Sequence, residues 1–165
     1  MAETVRVLMV CTGNICRSPT AEGVLRTLAA GEGGRGRRFV IDSAGTTAYH
    51  VGEPPDERSQ AHALRRGHDL SAQRARQVEP EDFRRFDWIL AMDRGHLQAL
   101  RRQAPVLVHD RIRLLLDFAP GLAGRDVPDP YYSDAAMFDT VLGMIERACT
   151  ALFRQLEPGI RQGAS

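Results

Sequence analysis

Residues 5–18 read Val5-Arg6-Val7-Leu8-Met9-Val10-Cys11-Thr12-Gly13-Asn14-Ile15-Cys16-Arg17-Ser18. The apolar run Val5–Val10 has the length and composition of a strand buried in a parallel sheet. Pro19 suits the first position of a helix with Ser18 as its N-cap, and apolar residues then recur at helical spacing. The stretch therefore predicts a strand, a tight loop and a helix, with Cys11 at the carboxyl end of the strand.

The rest of the chain continues the alternation of apolar runs with amphipathic stretches. Further strands are predicted at residues 39–41, 88–92 and 112–116, and helices at about residues 57–66, 94–102 and 138–156. The shorter run at residues 106–108 is an alternative for the fourth strand. Residues 31–36, 42–45 and 119–130 are rich in turn-forming residues and are predicted as loops. This alternation is typical of an α/β fold, a parallel sheet covered by helices on both faces.

The composition is that of one ordinary globular domain. Of the 165 residues 43% are apolar and 26% charged, and the formal net charge is +1. We therefore expect a single domain over residues 1–165, with neither a nucleic acid nor a membrane surface as partner. All 22 basic residues are arginine, which excludes Schiff-base chemistry. No apolar run approaches the ~18 residues of a membrane span, and no signal peptide opens the sequence, so we expect a cytoplasmic protein.

Cysteine and histidine are few and scattered. The three cysteines, Cys11, Cys16 and Cys149, are an odd number in a chain without export signals, which argues against a disulfide framework. The five histidines show no metal-ligand spacing with one another or with the cysteines. The sequence therefore predicts neither a metal nor any other cofactor.

The loop that follows the first predicted strand combines a thiol with an arginine. Successive backbone N–H groups of such a loop, together with the positive end of the next helix, hold a phosphate dianion and favour the thiolate form of Cys11. Arg17 presents a planar fork that can take two phosphate oxygens at once. A buried structural cysteine is the alternative, but the spacing to Arg17 favours a nucleophile that attacks phosphorus.

Three further loop residues suit this chemistry. Gly13 permits either a positive φ or a close approach to the ligand. Asn14 tolerates left-handed geometry, and its side chain can brace the loop. Ser18 can donate its proton to the thiolate while its lone pairs accept from the helix amides, although capping alone would also explain it.

The departing oxygen of a phosphomonoester needs a proton, and Asp129 is the candidate donor. Pro128 and Pro130 stiffen its loop, and the aromatic residues that follow can limit water around a protonated carboxyl. On position alone Asp126 or Asp134 suits the role nearly as well, and Asp129 could equally be an ordinary loop residue.

At this point the sequence resembles the low-molecular-weight protein tyrosine phosphatases, from about Val5 to Leu156. Residues 10–22 look like their phosphate loop and first helix, and Asp129-Pro130-Tyr131-Tyr132 looks like their acid loop. Residues 42–45, 51–52 and 91–93 match intermediate landmarks in order. The resemblance implies a three-layer, Rossmann-like, four-stranded parallel sheet with the phosphate loop after the first strand, and no metal.

The resemblance also implies a role for each site residue. Cys11 would take the phosphoryl group while Asp129 protonates the leaving phenol, and Asp129 would then activate water to hydrolyse the phosphocysteine. The phosphoryl group would be held by Arg17 and by the other loop residues, Thr12, Gly13, Asn14, Ile15, Cys16 and Ser18. Cys16 would form a reversible disulfide with Cys11 under oxidation, with simple packing as the alternative.

Three tyrosines complete the site that the resemblance implies. Tyr49 would lie on one wall of the crevice and Tyr131 and Tyr132 on the other, where each could also be ordinary packing. A deep aromatic slot selects a flat phenyl phosphate over the shorter phosphoserine. One departure is Gln73, which stands where the family often has a histidine that helps to fix Asn14.

Three other functions are compatible with parts of this sequence. A protein arginine phosphatase tends to carry threonine where this chain has Ile15, and an arsenate reductase needs further cysteines to pass a disulfide outward. Cys149 lies on the apolar face of the last predicted helix, which makes it unsuitable as one of those further cysteines. A non-catalytic phosphotyrosine-binding module would have no need of Cys11, Arg17 and Asp129 together. The expected partner is a phosphotyrosine-containing protein, such as a bacterial tyrosine kinase or a host protein, bound by a monomer or weak dimer.

Overall fold

The computed structural model describes residues 4–31 and 38–164, with side chains as far as Glu157. Most of the predicted glycine-rich connector, residues 32–36, lies outside the described residues. The strands are β1 (Val5–Cys11), β2 (Phe39–Gly45), β3 (Trp88–Ala91) and β4 (Ile112–Leu114). They form one parallel sheet in the order β2-β1-β3-β4.

Helices cover both faces of this sheet, which confirms the predicted three-layer α/β fold. They are α1 (Arg17–Ala30), α2 (Glu57–Arg65), α3 (Asp82–Arg85), α4 (Arg94–Gln103) and α5 (Ala135–Ala164). Helices α1 and α5 pack on one face, with α2 beside them, while α3 and α4 pack on the other. No helix among the described residues is long and apolar enough to cross a membrane.

Side chains of β1 explain why its sequence is almost continuously apolar. Val7 and Met9 point into the cluster formed with α1 and α5, whereas Leu8 and Val10 point into the cluster formed with α4. All four are fully buried. Each contributes about 1.5–3 kcal/mol by leaving water, so the strand that carries Cys11 is anchored on both sides.

Two local predictions were wrong. Residues 42–45 are not a loop but the second half of β2, paired in register with β1 from Leu8 to Cys11. Asp42 and Ser43 suggested a turn because they are polar. Their side chains instead accept hydrogen bonds from Arg76 and Asn14. Ser18 is not the N-cap of α1, since Cys16 occupies that position without a side-chain bond and Ser18 lies inside the first turn.

The remaining differences are small. The fourth strand is at Ile112, as preferred, but it is short because residues 115–118 turn into a 3₁₀ helix. The alternative run at residues 106–108 also lies in a 3₁₀ helix. Helix α3 was not predicted, since a single turn gives too little periodicity to detect.

Candidate active site

The loop between β1 and α1 turns tightly at the carboxyl edge of the sheet. Its carbonyl groups are bonded outward: that of Cys11 accepts from the amide of Thr46 at 2.9 Å, and that of Ile15 from the amide of Asp56 at 2.7 Å. Asn14 adopts a φ of 58°. With the carbonyls turned away, the amide side of the loop is left for an anion.

Two glycines have close neighbours at this loop, and the one that meets backbone, Gly45, cannot be replaced without a shift. A Cβ on Gly45 would lie 2.5 Å from the carbonyl oxygen of Thr12. A Cβ on Gly13 would lie 2.7 Å from the ring of His50. Gly13 does not adopt a positive φ, so the first of its two predicted reasons was wrong, and the close approach to a ligand stays a prediction.

The Cys11 sulfur lies against a hydroxyl. Its distance to Ser18 Oγ is 2.9 Å, and both residues are buried. The same hydroxyl oxygen accepts a hydrogen bond of 2.8 Å from Asn14 Nδ2, which leaves the Ser18 proton for another acceptor. The carbonyl oxygen of Ala44 is a longer alternative at 3.5 Å. Ser18 is therefore arranged to donate to a thiolate at Cys11.

Asn14 is held on every side. Its Nδ2 also donates to Ser43 Oγ at 2.9 Å, and its Oδ1 accepts from the amide of Arg76 at 3.0 Å. Ser43 Oγ donates in turn to Glu22 Oε1 at 2.7 Å. Burial raises the pKa of the Glu22 carboxyl, against the lowering effect of its hydrogen bonds from Ser43 and Arg26.

Gln73 does not take part in this network. Its Nε2 donates to the carbonyl of Pro19 at 2.9 Å, and its Oε1 is buried without a hydrogen-bond partner among the described residues. The brace on Asn14 is supplied instead by Ser43 and by the backbone of Arg76. Gln73 therefore steadies the start of α1 rather than the loop.

Arg17 is buried, and one terminal nitrogen of its guanidinium is held by two hydrogen bonds. One terminal nitrogen donates to Asp93 Oδ2 at 2.9 Å and to the carbonyl of Val127 at 3.0 Å, and the other lies 3.5 Å from Thr12 Oγ1. Burial alone would raise the pKa of Asp93, but the His96 amide and the charge of Arg17 hold it below its ordinary value. Asp93 was matched to the family only as a landmark, and its contact with Arg17 was not predicted.

His96 is a second residue that sequence reasoning missed. Its Nε2 lies 2.7 Å from Thr12 Oγ1. Burial lowers the pKa of its imidazole to about 4, so the ring is neutral at physiological pH. Its Nδ1 lies 3.1 Å from Asp93 Oδ1 but is not aligned for a hydrogen bond. One signal in the sequence could have drawn attention to His96: it stands three residues after Asp93, which is the N-cap of α4.

Asp129 faces Arg17 across the crevice. Its Oδ2 lies 3.7 Å from the guanidinium, and its Oδ1 accepts from the amide of Tyr131 at 3.1 Å. The two alternative carboxylates are used elsewhere, because Asp126 bonds the amide of Arg94 and Asp134 bonds the amide of Met137 near the start of α5. Of the three, Asp129 is the one brought to the loop.

A crevice of about 330 Å³ opens above the loop. Besides Arg17 and five loop residues (Cys11, Thr12, Gly13, Ile15 and Cys16), it is lined by Thr47, Tyr49, His50, Asp129, Tyr131 and Tyr132. Tyr49 and Tyr132 are strongly exposed at its rim, and the Tyr131 and Tyr132 rings meet edge to face at 4.8 Å. Asn14 and Ser18 lie behind the loop instead.

Cys16 lines the crevice and also packs with Ile15, Ala75 and Phe138. Burial raises the pKa of its thiol to about 12, so it is protonated at neutral pH. All three cysteines are free. Among the described residues no three histidine, cysteine or acidic side chains are grouped to hold a metal ion.

Comparisons with known proteins give the family. The model of the low molecular weight phosphotyrosine protein phosphatase family matches residues 6–161. A low molecular weight protein-tyrosine-phosphatase of Streptomyces coelicolor is 45% identical over 90% of this chain and 92% of its own. The human low molecular weight phosphotyrosine protein phosphatase is 40% identical over 94% of this chain and 99% of its own.

A solved structure agrees with these sequence matches. The crystal structure of a protein tyrosine phosphatase from Entamoeba histolytica is similar with a TM-score of 0.89 at 35% identity, covering 94% of this chain and 99% of that one. Fold and relatives together define a phosphatase. More particularly, the chain belongs to the low molecular weight phosphotyrosine protein phosphatase family, and its activity is the hydrolysis of phosphotyrosine monoesters. The resemblance stated from the sequence is thereby confirmed.

Proposed function

We propose that Cys11 is the nucleophile, Arg17 the phosphate clamp and Asp129 the general acid and base of this phosphatase. The single observation that carries the proposal is the 2.9 Å contact between the Cys11 sulfur and a Ser18 hydroxyl that Asn14 has already engaged. A donor fixed in this way stabilises a sulfur anion before substrate arrives and costs no reorganisation during the reaction.

The proposed reaction has two steps. The Cys11 sulfur forms a bond to phosphorus while the bond to the phenol oxygen breaks, and that oxygen takes its proton from Asp129. Asp129, now a carboxylate, removes a proton from water as the water attacks phosphorus and releases Cys11 as a thiolate. Arg17 and the amides of residues 12–18 hold the phosphoryl oxygens in both steps.

The crevice supports phosphotyrosine as the substrate. Tyr49 and Tyr132 stand at its rim and Ile15 lines it, so an aryl ring can reach down while its phosphate lies on the loop. The substrate is a phosphotyrosine-containing protein, for which a bacterial tyrosine kinase and a host protein remain the two proposed candidates. The rim residues would contact the polypeptide around the phosphotyrosine.

We also propose that the protein acts in the cytoplasm as one domain over residues 1–165, and as a monomer or weak dimer. The proposal of one domain is supported by the family match over residues 6–161 and by the one four-stranded sheet that the described residues form. A reducing compartment suits a chain whose three cysteines are all free, because the proposed nucleophile must remain a thiol.

Turnover of p-nitrophenyl phosphate tests the roles. We expect equal activity with and without EDTA, and loss of activity in Cys11→Ser. Full activity in that variant would remove Cys11 from the mechanism. Phosphotyrosine, phosphoserine and phosphoarginine substrates should then be compared, with phosphotyrosine expected to be hydrolysed fastest. Faster hydrolysis of phosphoarginine would contradict the proposed substrate preference.

A further inference from the structure

The loop that carries Asp129 is tied to α2 by one arginine. Arg58 donates from a terminal nitrogen to the carbonyl oxygen of Tyr131 at 2.9 Å. Its guanidinium carbon also lies 5.4 Å from the centre of the Tyr131 ring and 4.7 Å from that of Phe138. One side chain therefore holds both the backbone and the ring of Tyr131, and joins them to the first turn of α5.

The other side of Arg58 is held by Asp56. Its Nε lies 3.2 Å from Asp56 Oδ1, and a terminal nitrogen lies 2.9 Å from Asp56 Oδ2. Asp56 caps α2 through the amides of Arg58 and Ser59. Although burial alone would raise the pKa of Asp56, the hydrogen bonds from Arg58 hold it below its ordinary value, so the pair is charged at neutral pH.

Asp56 also reaches the phosphate loop, since its amide donates to the carbonyl of Ile15 at 2.7 Å. A continuous set of contacts thus runs from Ile15 through Asp56 and Arg58 to Tyr131. The Tyr131 amide then donates to Asp129 Oδ1 at 3.1 Å. Tyr131 therefore joins Arg58 to Asp129. Its carbonyl oxygen is held by Arg58, and its amide holds the Asp129 carboxylate.

Asp129 has little else to hold it in place. Its side chain is 52% exposed, and its remaining polar contact among the described residues is the 3.7 Å approach to Arg17. We propose that Arg58 is a positioning residue that sets the Asp129 carboxylate over the phosphate loop, acting through Tyr131. The inference rests on the proposed acid role of Asp129, and Arg58 itself is not among the residues that line the crevice.

Two substitutions of Arg58 separate geometry from charge. Arg58→Met keeps an apolar stem against the two rings but removes every donor. Arg58→Lys keeps the charge beside Asp56 but lacks the planar fork that bonds Asp56 and Tyr131 together. The matched control is Arg113→Met, because Arg113 also stacks over an aromatic ring, that of Trp88 at 5.8 Å, and does not line the crevice.

The measurement is kcat/KM over a series of aryl phosphates whose phenols differ in acidity. For Arg58→Met we expect a loss of about tenfold with the least acidic phenol and less than about twofold with the most acidic one, since only a poor leaving group needs a well-placed acid. Arg58→Lys should show the same trend with a smaller loss. Arg113→Met should show no dependence on the leaving group.

The double variants provide the decisive comparison. In an Asp129→Ala background Arg58→Met should cause no further loss, because the carboxylate that it positions is gone. An equal loss with every leaving group, or a loss that multiplies with that of Asp129→Ala, would overturn the inference. If the loss in Asp129→Ala alone does not depend on the leaving group, the proposed acid role of Asp129 is wrong. That outcome is distinct from failure of the positioning role of Arg58, in which Asp129→Ala still shows the dependence. Arg58→Lys keeps the test available if Arg58→Met does not fold.

Discussion

The phosphate loop and the loop of Asp129 face each other across one crevice, but the first is mostly buried whereas the second is largely exposed. Asn14 is 2% exposed and Ser18 is 0%, against 52% for the Asp129 side chain and 94% for Tyr132. The buried side is held by hydrogen bonds from three different segments of the chain. The exposed side depends on Arg58 and on the few contacts of Asp129.

This difference indicates that the two loops have different tasks. Phosphate must meet donors that are already aimed at it, and a loop held by buried hydrogen bonds provides them. The acid side must admit and release a protein substrate, which favours an exposed loop with few attachments. Substitutions on the buried side should therefore change both stability and activity, whereas those on the exposed side should change activity alone.

After the loss of activity expected for Cys11→Ser, the largest effect is expected at Arg17. Arg17→Lys keeps a positive charge beside Asp93 but loses the planar fork, so kcat/KM should fall by about 10³-fold. The check is steady-state turnover of p-nitrophenyl phosphate, with the variant Arg94→Lys as an exposed control. A loss below tenfold would show that charge alone suffices on the buried side.

The next effect is expected at Asp129. Asp129→Ala should lower kcat/KM by about 10²-fold with poor leaving groups and much less with good ones, because the acid matters most when the phenol is a weak acid. The free energy of unfolding should change by less than about 0.5 kcal/mol, since the side chain is half exposed. Urea unfolding measures the second quantity, and a large loss of stability would contradict the contrast.

Asn14→Ala should be the reverse case. It removes three hydrogen bonds, two of them buried, and a residue suited to its φ of 58°, so the free energy of unfolding should fall by about 3 kcal/mol. Activity should also fall, because Ser18 loses the donor that directs its proton to Cys11. Urea unfolding of Asn14→Ala and Asp129→Ala compares the two variants directly. Equal free energies of unfolding would contradict the contrast between the buried and exposed sides.

The sequence predicted these two sides unequally, for a physical reason. Cys11, Arg17 and the strand, loop and helix around them are close in sequence, so spacing alone placed them together. Asp129 reaches the same site across 112 residues, by numbering from Arg17, and position alone did not separate it from Asp126 and Asp134.

The contacts that were missed are those made by tertiary packing. His96 reaches Thr12 across 84 residues and Asp93 reaches Arg17 across 76, and neither pairing leaves a local pattern. Likewise the sequence alone suggests a turn at Ser43, whereas in the structure its hydroxyl accepts a hydrogen bond from Asn14. Sequence periodicity reports which face of an element is buried, not which polar groups meet at its end.

His96 gives the buried side a dependence on pH. Burial lowers the pKa of its imidazole from 6.5 to about 4 in the folded protein, so the unfolded chain binds the proton first as pH falls. Stability is therefore fully present above pH 6.5 and decreases as pH falls through 4, by about 3 kcal/mol in all.

His96→Gln tests this dependence because glutamine can still bond Thr12 but does not titrate. Its free energy of unfolding should be flatter with pH than that of the wild-type protein between pH 6.5 and 4. Urea unfolding at several pH values measures the two slopes. Parallel slopes would assign the acid sensitivity to other groups.

The smallest effect is expected at the exposed rim. Tyr132→Ala should raise KM for a phosphotyrosine peptide about fivefold with little change in kcat, because an aromatic contact at the surface is modest. Its stability should match that of the wild-type protein. A large fall in kcat would instead place Tyr132 in the chemistry of the site.

The most direct test asks which atom carries the phosphoryl group during turnover. Asp129→Ala mixed with ³²P-labelled substrate and quenched within milliseconds should hold label on the peptide that contains Cys11, and none in a Cys11→Ser variant. Label on any other residue, or turnover with no labelled protein at any time, would contradict the proposal that Cys11 is the nucleophile.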